Sequence, residues 1–98
     1  MPYMLVRHKV DDYAKWKPVF DDHGDFRKAN GEKSYQIFRP KGDPNDEPNN
    51  LIILFEWDSL DNAKKFAQSE SLREAMKKAG VIGQPHIHFL EEIEKGAV

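Results

Sequence analysis

Residues 51–76, LIILFEWDSLDNAKKFAQSESLREAM, run from a strand apolar on both faces through Glu56-Trp57 into two short amphipathic helical segments. No other feature constrains the fold as much. Leu51, Ile53, Phe55 and Trp57 alternate onto one face, Ile52 and Leu54 onto the other, so both faces of this strand need cover and it belongs in the middle of a sheet. Ser59 is placed to cap the helix that follows, whose narrow apolar face is Ala63, Phe66 and Ala67. Ser69 or Ser71 restarts it, Leu72, Ala75, Met76 and Ala79 continue it, and Gly80 ends it.

The first half repeats the pattern in weaker form. Residues 2–10 alternate as a strand with Met4, Val6, His8 and Val10 on one face and Tyr3, Leu5, Arg7 and Lys9 on the other. From Asp11 the period changes, and Tyr13, Trp16, Phe20, His23 and Phe26 or Arg27 recur every three or four residues along one helix face. Asp11 or Asp12 can cap this helix. Pro18 then lies beyond the first turn, which predicts a short turn, a kink and a helix resuming at Pro18. Asn30-Gly31 supplies a helix stop, and Ser34 to Arg39 alternates as a second strand. Residues 40–50, PKGDPNDEPNN, hold three prolines and no apolar residue, which predicts a long hairpin loop. The prolines break the ligand spacing of calcium loops. His86 to Ile93 alternates as a fourth strand.

Ninety-eight residues suit one domain, residues 1–98, with a small core and thin stability. A composition of 39% hydrophobic and 33% charged residues is that of a folded globule. Fifteen basic and seventeen acidic residues are interspersed, for a net charge of −2, and nucleic acid is therefore not an expected partner. No apolar run approaches the ~20 residues needed to span a bilayer, and the N-terminal apolar segment is too short for a signal peptide. The chain lacks cysteine, which removes disulfides, thiolate catalysis and cysteine-ligated metals, and the expected location is the cytoplasm.

The order βαββαβ predicts an α+β, ferredoxin-like sandwich: a four-stranded antiparallel sheet with both helices on one face. The second apolar face of the third strand then needs a cover, and a second copy is the simplest. A homodimer is expected, with the two sheets facing one another in a dimeric α+β barrel and an interface at or above the ~1,600 Å² standard size.

Glu56-Trp57 at the end of the third strand, Ala63 and Phe66 in the next helix and the break at Ser69 resemble the dimeric α+β barrel superfamily, and within it the antibiotic-biosynthesis-monooxygenase-like proteins. The pattern covers nearly the whole chain. The resemblance implies a member of a group that includes cofactor-independent oxygenases of polycyclic phenols, haem-degrading enzymes, lactone isomerases and proteins without known activity. It does not choose a reaction. Family members often carry histidines where this chain has Phe66 and Ser71, and haem-degrading members use a Trp and a His ten residues apart. Here that spacing falls on Phe66 and Met76, which disfavours haem degradation.

Histidine is the side chain that titrates near neutrality without help. His8 shares its strand's parity with His86 and His88, so His8 is expected beside His88 on the helix-covered face, with His23 reaching the same cavity from the helix stripe. The functional reading is a pocket in which His23 or His8 is a general base, lined by Trp16, Phe20, Phe38, Trp57, Phe66 and His88. A zinc or iron site on His8, His86 and His88 lacks a securely placed carboxylate, so no metal and no cofactor are expected. Arg7 and Glu56 are expected to pair inside the barrel, as a salt bridge of the interface. Two functions follow: an oxygenase-like or isomerase-like enzyme on a small aromatic or lactone-like molecule, and a non-catalytic ligand-binding or structural dimer.

Overall fold

In a computed structural model of the chain, residues 1–41 and 49–98 are described. The elements are β1 (Pro2–Val10), α1 (Tyr13–Asp22), α2 (Gly24–Ala29), β2 (Glu32–Phe38), β3 (Asn50–Trp57), α3 (Leu60–Ala67), α4 (Glu70–Lys78) and β4 (Val81–Glu91). The strands form one sheet in the order β2-β3-β1-β4, antiparallel throughout. This is the expected ferredoxin-like arrangement, with each helical arm divided in two. The loop expected over 40–50, and the calcium question with it, falls mainly on residues 42–48 and lies outside the described residues.

Alternation along β1 and β3 decides which face is covered. Met4, Val6 and Val10 on β1 and Leu51, Ile53, Phe55 and Trp57 on β3 are buried, and Trp16, Phe20, Ala63, Phe66 and Ala79 close over them from the helices. Each large side chain fully withdrawn from water contributes about 1.5–3 kcal/mol. Ile52 and Leu54 point to the other face and stay half-buried.

The local signals mostly act as expected. Ser59 caps α3 by accepting from the Asn62 N–H, and Ser69 caps α4 by accepting from the Leu72 N–H. Gly31, at φ 116°, makes the turn that Asn30-Gly31 predicts. Pro18 behaves differently. Asp12 caps α1 through the Ala14 N–H, and the helix continues through Pro18 to Asp22 before breaking at His23-Gly24. Ala14 and Pro18 both lie on the exposed side, where water can satisfy the Ala14 carbonyl that loses its donor. The fourth strand also begins earlier than expected, at Val81. Its Gly83 has φ 71°, and the pairing with β1 shifts between Arg7 and Lys9, so a bulge absorbs the extra residues at His8. Pro85 is tolerated because β4 is an edge strand.

Candidate functional site

Between the covered face of the sheet and the helices lies a cavity floored by Met4, Val6, Ile53 and Phe55. Trp16, Val19, Phe20 and His23 wall it from the first helical arm, Phe66 from α3, and Leu72, Ala75, Met76 and Ala79 from the second arm. Arg27 and His8 complete the lining. The free volume is about 50 Å³, enough for a water or a few but less than the ~150 Å³ that holds a benzene ring. An aromatic guest therefore requires a wall to move. The wall with the least hold is α4, which has no fully buried residue, whereas α3 is anchored by Ala63 and Phe66.

His8 and His23 stand at different ends of this cavity. The His8 ring meets Trp16 edge-on, with centroids 5.7 Å apart and planes at 77°. Neither His8 ring nitrogen has a hydrogen-bond partner, although both are buried. Burial pushes the His8 pKa down to about 4, so the ring is neutral at neutral pH. His23 follows Trp16 by seven residues, roughly 10 Å of helix rise. Its ring stacks on Phe26 at 4.9 Å and lies 5.8 Å from Phe66. His23 Nε2 is 2.9 Å from Ser71 Oγ, in a hydrogen bond whose direction depends on the tautomer. Burial, and then the nearby Arg27 cation, lower the His23 pKa.

The aromatic wall is continuous. Trp16 stacks on Phe20 at 4.8 Å, and Phe20 in turn meets Phe55 at 6.0 Å and Tyr35 at 5.0 Å. Trp57 is fully buried under Phe66, with centroids 5.1 Å apart, and supports the wall without lining the cavity.

Besides Trp57, two more expected lining residues, His88 and Phe38, lie elsewhere. Strand pairing sets Leu5 opposite His88 and Arg7 opposite His86, and residues directly opposite share a face. His86 and His88 are thus on the open face, while His8 is on the covered one. Equal parity along two strands did not mean one face, because the register pairs odd positions of β1 with even positions of β4. The three histidines consequently do not converge, and no group of three metal-ligating side chains exists among the described residues. Phe38 pairs with Ile52 and is likewise on the open face, 47% exposed. Within one chain Arg7 and Glu56 do not meet. Glu56 lies opposite Tyr3 and accepts from its hydroxyl at 3.1 Å, whereas Arg7 lies opposite Ile52.

Arg27 is the functional group that the helix period left unresolved against Phe26. Helical bonding carries through His23-Gly24, with the His23 N–H on the Val19 carbonyl and the Arg27 N–H on the His23 carbonyl, and about three turns from Trp16 return Arg27 to the inward face, where it is 3% exposed. Its Nε donates to Glu32 at 2.9 Å, its Nη1 donates to the Phe20 carbonyl at 2.7 Å, and its guanidinium lies 3.8 Å over the Phe20 ring. Burial raises the Glu32 pKa, an effect that Arg27 opposes.

No known family profile matches the sequence, and a search of curated proteins finds no match. Solved structures do resemble it. SnoaB, a cofactor-independent oxygenase from Streptomyces nogalater, superposes with a TM-score of 0.72 at 13% identity, over 96% of this chain and 94% of that one. A candidate antibiotic biosynthesis monooxygenase from Caulobacter crescentus CB15 gives 0.70 at 25% identity, over 95% of this chain and 90% of that one. Rv0793 from Mycobacterium tuberculosis gives 0.66 at 10% identity, over 99% of this chain and all of that one. The resemblance to antibiotic-biosynthesis-monooxygenase-like proteins is thus borne out in the fold. Among the described residues no helix is long and apolar enough to cross a membrane.

Proposed function

We propose that this chain, which shares its fold with antibiotic-biosynthesis-monooxygenase-like proteins, is a monooxygenase-like enzyme acting without a cofactor on a small, enolisable aromatic molecule. The observation that carries the reading is an apolar cavity with two histidines in its wall, both with pKa values lowered by burial. His23 is the proton acceptor. It is only half-buried, and its bond to Ser71 lies at the edge of α4, which gives the proton a way out. His8, with a pKa of about 4, is too weak a base for a phenol or an activated methylene. Once His23 has taken the proton, the carbanion supplies electrons to dioxygen and a carbon–oxygen bond forms. The resulting peroxide anion takes the proton back from His23, and the hydroperoxide so formed loses its remaining C–H proton and expels hydroxide, the two leaving together as water. In balance, one activated methylene and one dioxygen give one carbonyl and one water, the carbon losing the four electrons that dioxygen gains. Apolar walls favour dioxygen and keep bulk water from the carbanion.

The protein acts as a homodimer in this reading. Leu5, Ile52, Leu54, Phe38 and Leu90 share the open face, and Phe38 and Leu90 are 47% and 40% exposed. A second copy packed sheet to sheet would cover them. A cysteine-free chain is compatible with the reducing cytoplasm.

One observation favours binding without chemistry: both histidines have lowered pKa values, which weakens them as bases. Dioxygen uptake separates the two. With chelator present, enolisable aromatic ketones of one to three rings should be oxidised faster than spontaneously, and His23→Ala should slow the reaction by about 100-fold or more. Equal rates with and without protein would leave the binding function alone.

A further inference from the structure

We infer that His8 is the specificity residue of the cavity, one of whose ring nitrogens recognises a single uncharged hydroxyl or carbonyl group on an otherwise apolar aromatic ligand. The inference rests on the cavity being a ligand site and adds what the ligand must carry. A buried polar atom in a folded protein almost always has a hydrogen-bond partner. His8 has two such atoms without one. Across β3 it faces Leu51, over it lies the edge of Trp16, and the bulge in β4 removes a strand partner on the other side. A leucine or phenylalanine would fill this position without leaving two buried polar atoms unsatisfied. Histidine therefore costs the empty fold stability at a point where the neighbouring space can receive a guest.

The free space has room for a water. A ligand hydroxyl replaces such a water while its apolar body enters as the α4 wall yields, and one ring nitrogen of the neutral imidazole either donates to it or accepts from it. Charge on the ligand is disfavoured. Arg27, the cation on the wall, is already committed to Glu32 and to the Phe20 carbonyl, so an anion would meet a balanced pair. The ligand class is a neutral phenol or aryl ketone, and aryl carboxylates are excluded.

Phenol and toluene, nearly equal in shape, test this by NMR titration of the intact protein. The ratio of the toluene Kd to the phenol Kd should fall about tenfold in His8→Leu and be partly kept in His8→Gln. The melting temperature of His8→Leu should stay level or rise by a few degrees. In the parent, the His8 ring nitrogen resonances should move with phenol and not with toluene, a readout independent of whether any variant folds. If both compounds bind but the ratio and the His8 resonances are indifferent to the hydroxyl, the inference fails while the pocket stands. Binding of neither would overturn the ligand site and the inference with it. A melting temperature lowered by many degrees in His8→Leu, with the ratio unchanged, would make His8 a structural residue.

Discussion

His23 Nε2 and Ser71 Oγ, 2.9 Å apart, tie the break between α1 and α2 to the first turn of α4 across the rim of the cavity. α4 has no fully buried side chain, and this bond adds to the packing of Leu72 and Met76 against the core in holding that wall. Ser71→Ala should cost about 1 kcal/mol or less in global stability while raising amide hydrogen exchange in residues 70–78. Exchange there should already exceed that of α3 in the parent and slow when phenol binds. Equal protection of α3 and α4, unaffected by Ser71→Ala, would mean that α4 is not the movable wall.

Acid should unfold this protein partly through His8. Its pKa falls from 6.5 to about 4 on folding, so between those values the unfolded chain binds a proton that the native chain does not. The associated stability is complete above about pH 6.5 and is lost as pH falls to about 4, a contribution of about 3 kcal/mol over the window. His23, lowered in the same direction, adds to the slope. Denaturant titrations at pH 7, 5.5 and 4.5 should show His8→Leu losing less stability than the parent. Parallel losses would show that His8 is not held neutral by burial.

The Arg27–Glu32 pair is buried, with side chains 4% and 8% exposed. Arg27→Met leaves a carboxylate whose pKa burial already raises, and should cost about 3–5 kcal/mol. Arg27→Met combined with Glu32→Leu should recover much of that loss, because no unpaired charge remains. Urea melts of the single and double variants measure this directly, and an additive double variant would show that the two side chains act independently.

Much of this was legible in the residues. Period-2 runs in β1 and β3, the serine caps at Ser59 and Ser69 and the Asn30-Gly31 stop are short-range signals, and they were enough for the element order and the covered face. His8, His23, Trp16, Phe20 and Phe66 were legible as one pocket because helix and strand periods each point a face inward. What the sequence hid was long-range or cooperative. The register between β1 and β4 pairs odd positions of one strand with even positions of the other on both sides of the bulge, and that long-range pairing sends His86 and His88 to the open face. Arg27 was ambiguous because Pro18 and Gly24 suggested interruptions of the helix, whereas the helical phase carries from Trp16 through to Arg27. The missing partners of His8 depend on atoms from three separate elements and have no local signature.

The open sheet face makes a separate prediction. Sedimentation at micromolar concentration should give about twice 11.4 kDa. Leu54→Asp, on the open face, should yield a folded monomer, whereas Ile53→Asp, 1% exposed beneath the helices, should unfold the chain by burying an unpaired charge. A stable monomeric parent that tolerates Leu54→Asp without change would contradict the face-to-face dimer.

The central claim is that the cavity beneath α1 and α4 is where a ligand binds. A methyl-resolved NMR titration of the parent with phenol tests it most directly, since Met4, Val6, Ile53 and Met76 line the cavity while Leu5, Ile52 and Leu54 mark the open face. The account predicts saturable shifts at the first four methyl-bearing residues and none at the other three. Shifts confined to the open face, or the absence of any saturable shift, would contradict it.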